Sequence, residues 1–281
     1  MKGKQIGAGR TAEVREYGEG TIVKLYLEDF PAEPIRQEFK VSTYVYNQGG
    51  VSTPRPVGQV EAEGRSGIVF QQIHGRSLLS LISGQPWRLP VYARQLAALH
   101  HQLHQLEGSP EIGRHKELLE RQIVAAPMLT MEEKTAVLEH LRPLPEGNRL
   151  CHGDFHPDNV LIDAEGAWII DWMNGTSGNP AADAARSILL FSMGSMPPGS
   201  SLAARVVTGF IRQKLTKIYI REYLSLSGYS YTEIKAWILP VAAARLTEGV
   251  PAGEKENLAK EIRRRLSALR KHQISPGVHD K

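Results

Sequence analysis

A single cysteine, Cys151, is all that the 281-residue chain carries, so no disulfide can close within it. That places the expected compartment among the reducing ones, the cytoplasm first. No apolar run approaches the ~20 residues that a membrane span requires. The opening Met1-Lys2-Gly3-Lys4-Gln5 has no secretory apolar core either. Repeats and low-complexity tracts are absent. With 41% hydrophobic and 23% charged residues, the composition excludes disorder and fits a soluble globular protein. The formal charge is only +4, and most Lys and Arg are interspersed with acids, which is not how a nucleic-acid-binding face is built. The exception is Lys260 to Lys271, with Arg263, Arg264, Arg265 and Arg270, read as the solvated face of a terminal helix.

What is present divides into two textures. Up to residue 72, short strands alternate with one helix. Gln5–Gly7, Ala12–Tyr17 and Thr21–Leu27 read as strands, the last two joined at Gly18-Glu19-Gly20. Glu33–Asn47 reads as a helix stopped by Gly49-Gly50, and Val57–Glu61 with Ser66–Gln71 as a hairpin around Glu63-Gly64. Beyond His74-Gly75 the pattern becomes helical. Leu96, Leu99, Leu103 and Leu106 recur at three and four residues. Thr130 with Glu133 forms a capping-box signature opening a helix through Leu141. A β island, Asn159–Asp163 and Ala167–Asp171, interrupts the helices, which resume from Ala181.

The chemistry concentrates in Cys151-His152-Gly153-Asp154-Phe155-His156-Pro157-Asp158-Asn159 and, after the turn of the β island, Ile169-Ile170-Asp171-Trp172. Phosphoryl transfer needs a carboxylate to take or orient the proton of an attacking hydroxyl, and oxygen ligands to hold Mg²⁺ against the phosphates. Asp154 and Asn159 lie in one polar loop, and folding the hairpin back brings Asp171 beside Asn159. One free carboxylate and a carboxylate–amide pair result.

These residues resemble the aminoglycoside phosphotransferase and choline kinase family, whose pattern is His-Gly-Asp-x-His-x-x-Asn followed by Ile-Asp-Trp or Ile-Asp-Phe. The resemblance implies a protein-kinase-like α+β fold, with a small β-rich lobe over residues 1–72 and a larger helical lobe over 73–281. It makes Asp154 the base and Asn159 and Asp171 the magnesium ligands. His156 stands where protein kinases place a phosphate-contacting lysine, and His152 is a loop-ordering residue. Gly153 replaces an arginine that reads a phosphorylated segment in many protein kinases, implying a site active without phosphorylation.

Gly7-Ala8-Gly9-Arg10-Thr11-Ala12-Glu13-Val14, with Ala12 in place of the third glycine, could let backbone N–H groups approach phosphate oxygens, though alone it reads better as an ordinary hairpin turn. Lys24, within Ile22-Val23-Lys24-Leu25-Tyr26, becomes by resemblance the phosphate-contacting lysine, with Glu38 its helix partner. Gln71, Gln72 and Ile73 become the linker whose backbone meets the purine of ATP or GTP, with Phe70 behind them, and Asp183 becomes a brace of the Asp154 loop. The implied reaction moves a γ-phosphate to a hydroxyl of a small molecule, with no nucleic-acid or membrane partner. Phosphorylation of a protein is a weaker reading, since Asp171 and Asp183 are too close to hold a peptide-docking loop; a non-catalytic scaffold is the other alternative. Met173, Asn174 and the basic terminal helix depart from the acidic pattern that suits polycationic acceptors. Glu248 and Glu254 are the first acids to consider as acceptor contacts if such an acceptor is used.

Overall fold

A computed structural model of the chain describes residues 3–193 and 201–274. The helical expectation for residues 194–200 and 275–281 lies outside them. Five strands, β1 (Gln5–Ala8), β2 (Ala12–Gly18), β3 (Thr21–Tyr26), β4 (Pro56–Ala62) and β5 (Arg65–Gln71), make one antiparallel sheet ordered β1-β2-β3-β5-β4. Glu63 and Gly64 both take positive φ, 55° and 72°, between β4 and β5. Two left-handed residues in a two-residue loop match the twist of the strands they join.

β3 alternates its faces as a strand must. Val23 and Leu25 pack with Val69 on one side. Tyr26, and Ile22 beside it, pack on the other with Ala12, Ile35, Ile68 and Phe70. Lys24 shares that second face, which α1 (Ala32–Gln48) covers. The buried stripe of α1 is Ile35, Glu38, Val41, Ser42 and Val45, spaced as one helix face. Ile35 belongs to the small core under the sheet, while Val41 and Val45 join the large core of the rest of the chain.

Residues 72–75 lead without regular structure to β6 (Arg76–Ser77), α2 (Leu78–Gly84), α3 (Leu89–Leu103), α4 (His115–Ala125) and α5 (Met131–Leu141). Then come β7 (Arg149–Cys151), β8 (Val160–Ile162), β9 (Ala167–Ile169) and β10 (Thr176–Gly178). α6 (Pro180–Met193), α7 (Leu202–Ser227), α8 (Tyr231–Arg245) and α9 (Ala252–Ile274) complete the described chain. Thr130 and Glu133 form the reciprocal capping box at α5. None of the helices described is long and apolar enough to cross a membrane.

Four local expectations change. Leu106 lies beyond α3, in a turn where its N–H donates to Leu103. Asn159 precedes β8, in a 3-10 turn over Pro157–Asn159. Asp171 follows β9 at φ 67°, a left-handed conformation that no strand residue adopts. The three-residue strands β7 and β10, paired with each other, and the two-residue β6 against β8 have no sequence signal of their own.

Candidate active site

Lys24 reaches from the middle of β3 to Glu38 on α1, its Nζ lying 2.8 and 2.9 Å from the two carboxylate oxygens. The same Nζ lies 2.9 Å from Oδ1 of Asp171, so one ammonium ties the sheet, α1 and the segment after β9. Tyr26 adds its hydroxyl to Glu38 at 2.5 Å. Glu38 is almost completely buried, and these three hydrogen bonds from two donor groups are what make a carboxylate tolerable on an apolar helix face. Burial alone would favour the neutral amine, but the charges of Asp171 and Glu38 outweigh it and keep Lys24 protonated well above neutral pH.

The loop bearing Asp154 is held from behind by α6. Asp183, fully buried near the start of α6, accepts the N–H of His152 at 2.6 Å and of Gly153 at 2.9 Å. His100 of α3 and His104, just past its end, approach the same carboxylate at 3.1 and 3.3 Å through Nε2, while their Nδ1 atoms meet the hydroxyls of Tyr219 and Tyr223. Burial pushes the Asp183 carboxyl up, and the hydrogen bonds from His100 and His104 more than reverse it. The three ligand-type atoms of His100, His104 and Asp183 lie within 4.8 Å of one another. Donation by each imidazole accounts for this spacing without an ion. His152 completes the frame: Nε2 donates to Ile170 O at 3.0 Å and Nδ1 accepts the N–H of Asp154 at 3.2 Å.

Gly153 has a reason to be glycine in its own geometry. Its φ is 74°, and a Cβ there would lie 2.3 Å from the carbonyl oxygen of Asn174. The loop and the segment after Asp171 therefore touch backbone to backbone. That segment continues into β10, paired with β7, and Gly175 to Asn179 are all buried.

Asp154 projects from this frame with two charged or ionisable partners and, at 3.5 Å, the Nδ2 of Asn159. Nε2 of His156 lies 3.4 Å from Oδ2, and a guanidinium nitrogen of Arg186 lies 3.2 Å from Oδ1. Burial would raise the Asp154 carboxyl, but the His156 hydrogen bond and the Arg186 charge hold it below the usual carboxylate range. Nδ1 of His156 also accepts the N–H of Asp158, which caps the 3-10 turn leading to Asn159. Asn159 donates its Nδ2 to the backbone oxygen of Asp154 at 2.9 Å, and its own carbonyl takes the N–H of Ile170 at 3.0 Å. Asp171, the residue after Ile170, is thereby set next to Asn159.

Arg186 was not singled out by the sequence. Its signal was a lone Asp and Arg three apart in the otherwise apolar run Pro180-Ala181-Ala182-Asp183-Ala184-Ala185-Arg186. Its other end meets Glu248 at 2.6 Å, Glu248 meets Arg245 at 2.7 Å, and Arg245 meets buried Glu254 at 2.6 Å. Glu248 and Glu254 are thus ion-paired within the protein. Arg263 of α9 pairs with Glu133, and Arg264 and Arg265 with Glu261.

A cleft of about 210 Å³ opens between the lobes. Ile6, Val14 and Ile22 line it from the sheet, Leu161 and Ile170 from the β8–β9 side. Among the candidate residues, Lys24, Glu38, Phe70, Gln71, Gln72, Ile73 and Asp171 line it, whereas Gly7, Gly9, Asp154, His156 and Asn159 do not. Gly7 is paired with Val14 across β1 and β2, and Gly9 N–H closes the turn onto Ala12 O at 2.8 Å. The Gly9 amide is therefore spent inside the turn. The linker is partly spent as well: Gln71 N–H donates to Arg55 O and Gln72 N–H to Gly20 O, both at 2.9 Å. Among the described residues no backbone carbonyl takes the N–H of Ile73.

The donor set at Asn159 and Asp171 fits a hard divalent cation. With Nδ2 of Asn159 held by Asp154, its amide oxygen remains as the ligand atom, and Asp171 has Oδ2 beyond the oxygen that Lys24 takes.

The profile of the phosphotransferase enzyme family matches residues 2–220, and the chain belongs to that family. The fold agrees. A crystal structure of an aminoglycoside-3'-phosphotransferase of type VIII superposes with a TM-score of 0.58 at 19% identity, over 86% of this chain and 91% of that one. An amicoumacin kinase, solved with AMP-PNP, Ca²⁺ and its ligand, gives 0.56 at 15% identity over 94% and 88%. A choline/ethanolamine kinase family protein from Mesorhizobium loti gives 0.54 at 16% identity over 96% and 88%. A search of curated protein sequences returns no match. The chain is a phosphotransferase with the kinase-like fold.

Proposed function

We propose that the protein transfers the γ-phosphate of ATP or GTP to a hydroxyl of a small molecule, with Asp154 as the base. The observation that carries this reading is the continuous line of contacts from Lys24 through Asp171 and Ile170 to Asn159 and Asp154. It supports a phosphate-facing cation and a carboxylate ligand lining the cleft, with a second oxygen ligand and the Asp154 carboxylate connected to them beside it. In this reading the purine lies between Ile22 and Leu161 and takes the N–H of Ile73. Lys24, anchored by Glu38, opposes phosphate charge. Asn159 and Asp171 would hold Mg²⁺, which would supply charge neutralisation for the phosphates. Asp154 accepts the proton of the acceptor hydroxyl as its oxygen bonds to the γ-phosphorus and the bond to ADP or GDP breaks. His156 fixes the Asp154 carboxylate from one side.

The buried pairing of β10 with β7 favours a small acceptor over a peptide, because the segment that would dock a peptide is folded away. The test is acceptor-dependent ADP or GDP release over a panel of hydroxylated metabolites and antibiotics. Asp154→Asn should lower turnover ~10²- to 10⁴-fold while leaving nucleotide binding nearly intact. Near-normal turnover in that variant removes Asp154 from the role, and nucleotide binding without any turnover on the panel or in water favours the scaffold reading.

Acceptor charge follows from the ion pairs. Glu248 and Glu254 are neutralised by Arg186 and Arg245, so ammonium groups brought beside Asp154 find those carboxylates occupied. Kanamycin, neomycin and gentamicin should be poor acceptors beside a hydroxylated compound of one or two positive charges at most. A kcat/KM of ~10⁴ M⁻¹s⁻¹ or more for any of the three overturns this.

A further inference from the structure

One face of α6 addresses the whole Asp154 loop. Asp183, Arg186 and Ser187 stand at i, i+3 and i+4, the spacing that brings side chains onto one helix face. Asp183 takes the N–H groups of His152 and Gly153, and Ser187 donates to the backbone oxygen of Phe155 at 2.8 Å. Both act on the backbone. Arg186 alone of the three touches the side chain of Asp154, at 3.2 Å.

Stability does not account for an arginine here. Its side chain is only 9% exposed, most of α6 around it is apolar apart from Asp183 and Ser187, and its Nε is buried with no hydrogen-bond partner. Desolvating a guanidinium in such a place is costly, and a well-packed apolar side chain often serves stability as well or better. What an apolar residue cannot do is hold two carboxylates at a fixed separation. The planar fork of Arg186 does so, one terminal nitrogen on Asp154 and the other, at 2.6 Å, on Glu248. Glu248 is fixed in turn by Arg245 at the end of α8, and Arg245 by Glu254 on α9.

From this we infer that Arg186 is a positioning residue for phosphoryl transfer: anchored by Glu248 and Arg245, it fixes the orientation of the Asp154 carboxylate toward the acceptor hydroxyl. The inference rests on the proposed role of Asp154. It adds that α8 and α9, through the ion-pair line Glu254–Arg245–Glu248–Arg186, set the geometry of the reacting carboxylate without touching the nucleotide.

A double-mutant cycle tests it. ADP or GDP release from Mg·ATP or Mg·GTP is measured with the best acceptor of the panel, or with water where none is found. The proteins are the wild type, Arg186→Ala, Arg186→Lys, Glu248→Gln, Asp154→Asn and the Arg186→Ala/Asp154→Asn double variant. Fluorescent nucleotide affinity is measured alongside. Arg186→Ala should lower kcat ~10- to 100-fold with nucleotide affinity within twofold of wild type. Arg186→Lys should recover part of the loss, since one ammonium can follow only one carboxylate at a time. Glu248→Gln, which keeps the shape of the anchor and removes its charge, should fall between wild type and Arg186→Ala. In the Asp154→Asn background, removing Arg186 should cost nothing more, because there is no carboxylate left to position.

The inference is overturned if Arg186→Ala stays within twofold of wild type, or if it costs the same factor with and without Asp154. If Arg186→Ala does not fold, Glu248→Gln and Arg186→Lys at wild-type kcat overturn it equally. A normal rate in Asp154→Asn overturns the base assignment together with this inference. A dead Asp154→Asn beside an unaffected Arg186→Ala overturns this inference alone.

Discussion

On the N-terminal wall of the cleft, the charged groups come from neighbouring stretches of chain. Lys24 and Glu38 are 14 residues apart, each on an element whose pattern is visible locally. Across the cleft, Asp154 takes Arg186 from 32 residues away, and Arg186 takes Glu248 from 62 residues further on. The first wall is a strand lysine meeting a helix glutamate, with Tyr26 as the second donor. The second is a loop suspended from α6 by Asp183, Ser187 and Arg186, with α3, α8 and α9 behind them. A wall of local elements can be exchanged piece by piece. A wall assembled from distant helices responds as a unit, so substitutions on the two sides should differ in what they leave intact.

The largest expected effect falls where the walls meet. Asp171 contacts Lys24 from one and is set beside Asn159 of the other. Asp171→Ala should lower turnover ~10²- to 10⁴-fold and raise the Mg²⁺ requirement, because it deletes a charged ligand and the partner of Lys24 together. Asn159→Ala should cost less, ~10- to 100-fold, since the amide is a neutral ligand. Initial rates over a magnesium titration decide this. Unchanged metal dependence in both variants breaks the placement of the cation between the walls.

That difference in assembly also explains what could be read before the structure. The strands of the N-terminal sheet, the α1 helix and the α5 capping box each carry a local signal: alternation, a 3.6-residue stripe, a Thr-x-x-Glu pair. The Asp154–Asn159–Asp171 set was legible because its spacing lies within one loop and one hairpin. Arg186 was not, because its meaning depends on α8 and on Glu248 at the far end of the chain. β7 and β10 are three residues each, too short for alternation to register, yet their pairing folds away the segment after Asp171. The left-handed Asp171 was hidden for a different reason: a hydrophobic run through Ile169 and Ile170 reads as a strand, and only the Ile170 N–H bond to Asn159 shows where the chain turns off.

Gly153→Ala sharpens the comparison from within the second wall. Alanine at φ 74° costs about 1–2 kcal/mol, and its Cβ would press on Asn174 O at 2.3 Å, adding about 1–3 kcal/mol of overpacking. The loop and the segment after Asp171 must then separate. Thermal melting should drop by several degrees and turnover should fall, while nucleotide affinity, set by the first wall, holds within a few-fold. Equal losses of nucleotide binding and turnover would show that the walls do not respond separately.

The smallest effect concerns acid. Among the described residues, the buried histidines His100, His104, His115 and His152 all lie behind the second wall. Burial lowers His100 from 6.5 to about 3, and the charge of neighbouring His104 adds to that; burial likewise lowers His115 to about 4, with Arg186 contributing. In the unfolded chain both return to about 6.5, so between that pH and their folded values the unfolded state binds more protons. Stability therefore rises with pH across this window and is lost as pH falls below 6.5, by up to ~1.4 kcal/mol per pH unit for each histidine. Asp183 is shifted in the same direction, held below its ordinary 3.8, so its contribution is lost only as pH falls below that value, where it adds to the loss from the histidines. His115 is the cleaner probe because it makes none of the bonds to Asp183 that His100 and His104 make. His115→Gln should reduce the pH dependence of the melting temperature between pH 6.5 and 4.5, leaving the contribution of His100. An unchanged slope in that variant would mean that His115 takes up its proton in the folded protein as readily as in the unfolded chain. Acid sensitivity would then have to be sought away from the helices that hold the Asp154 loop.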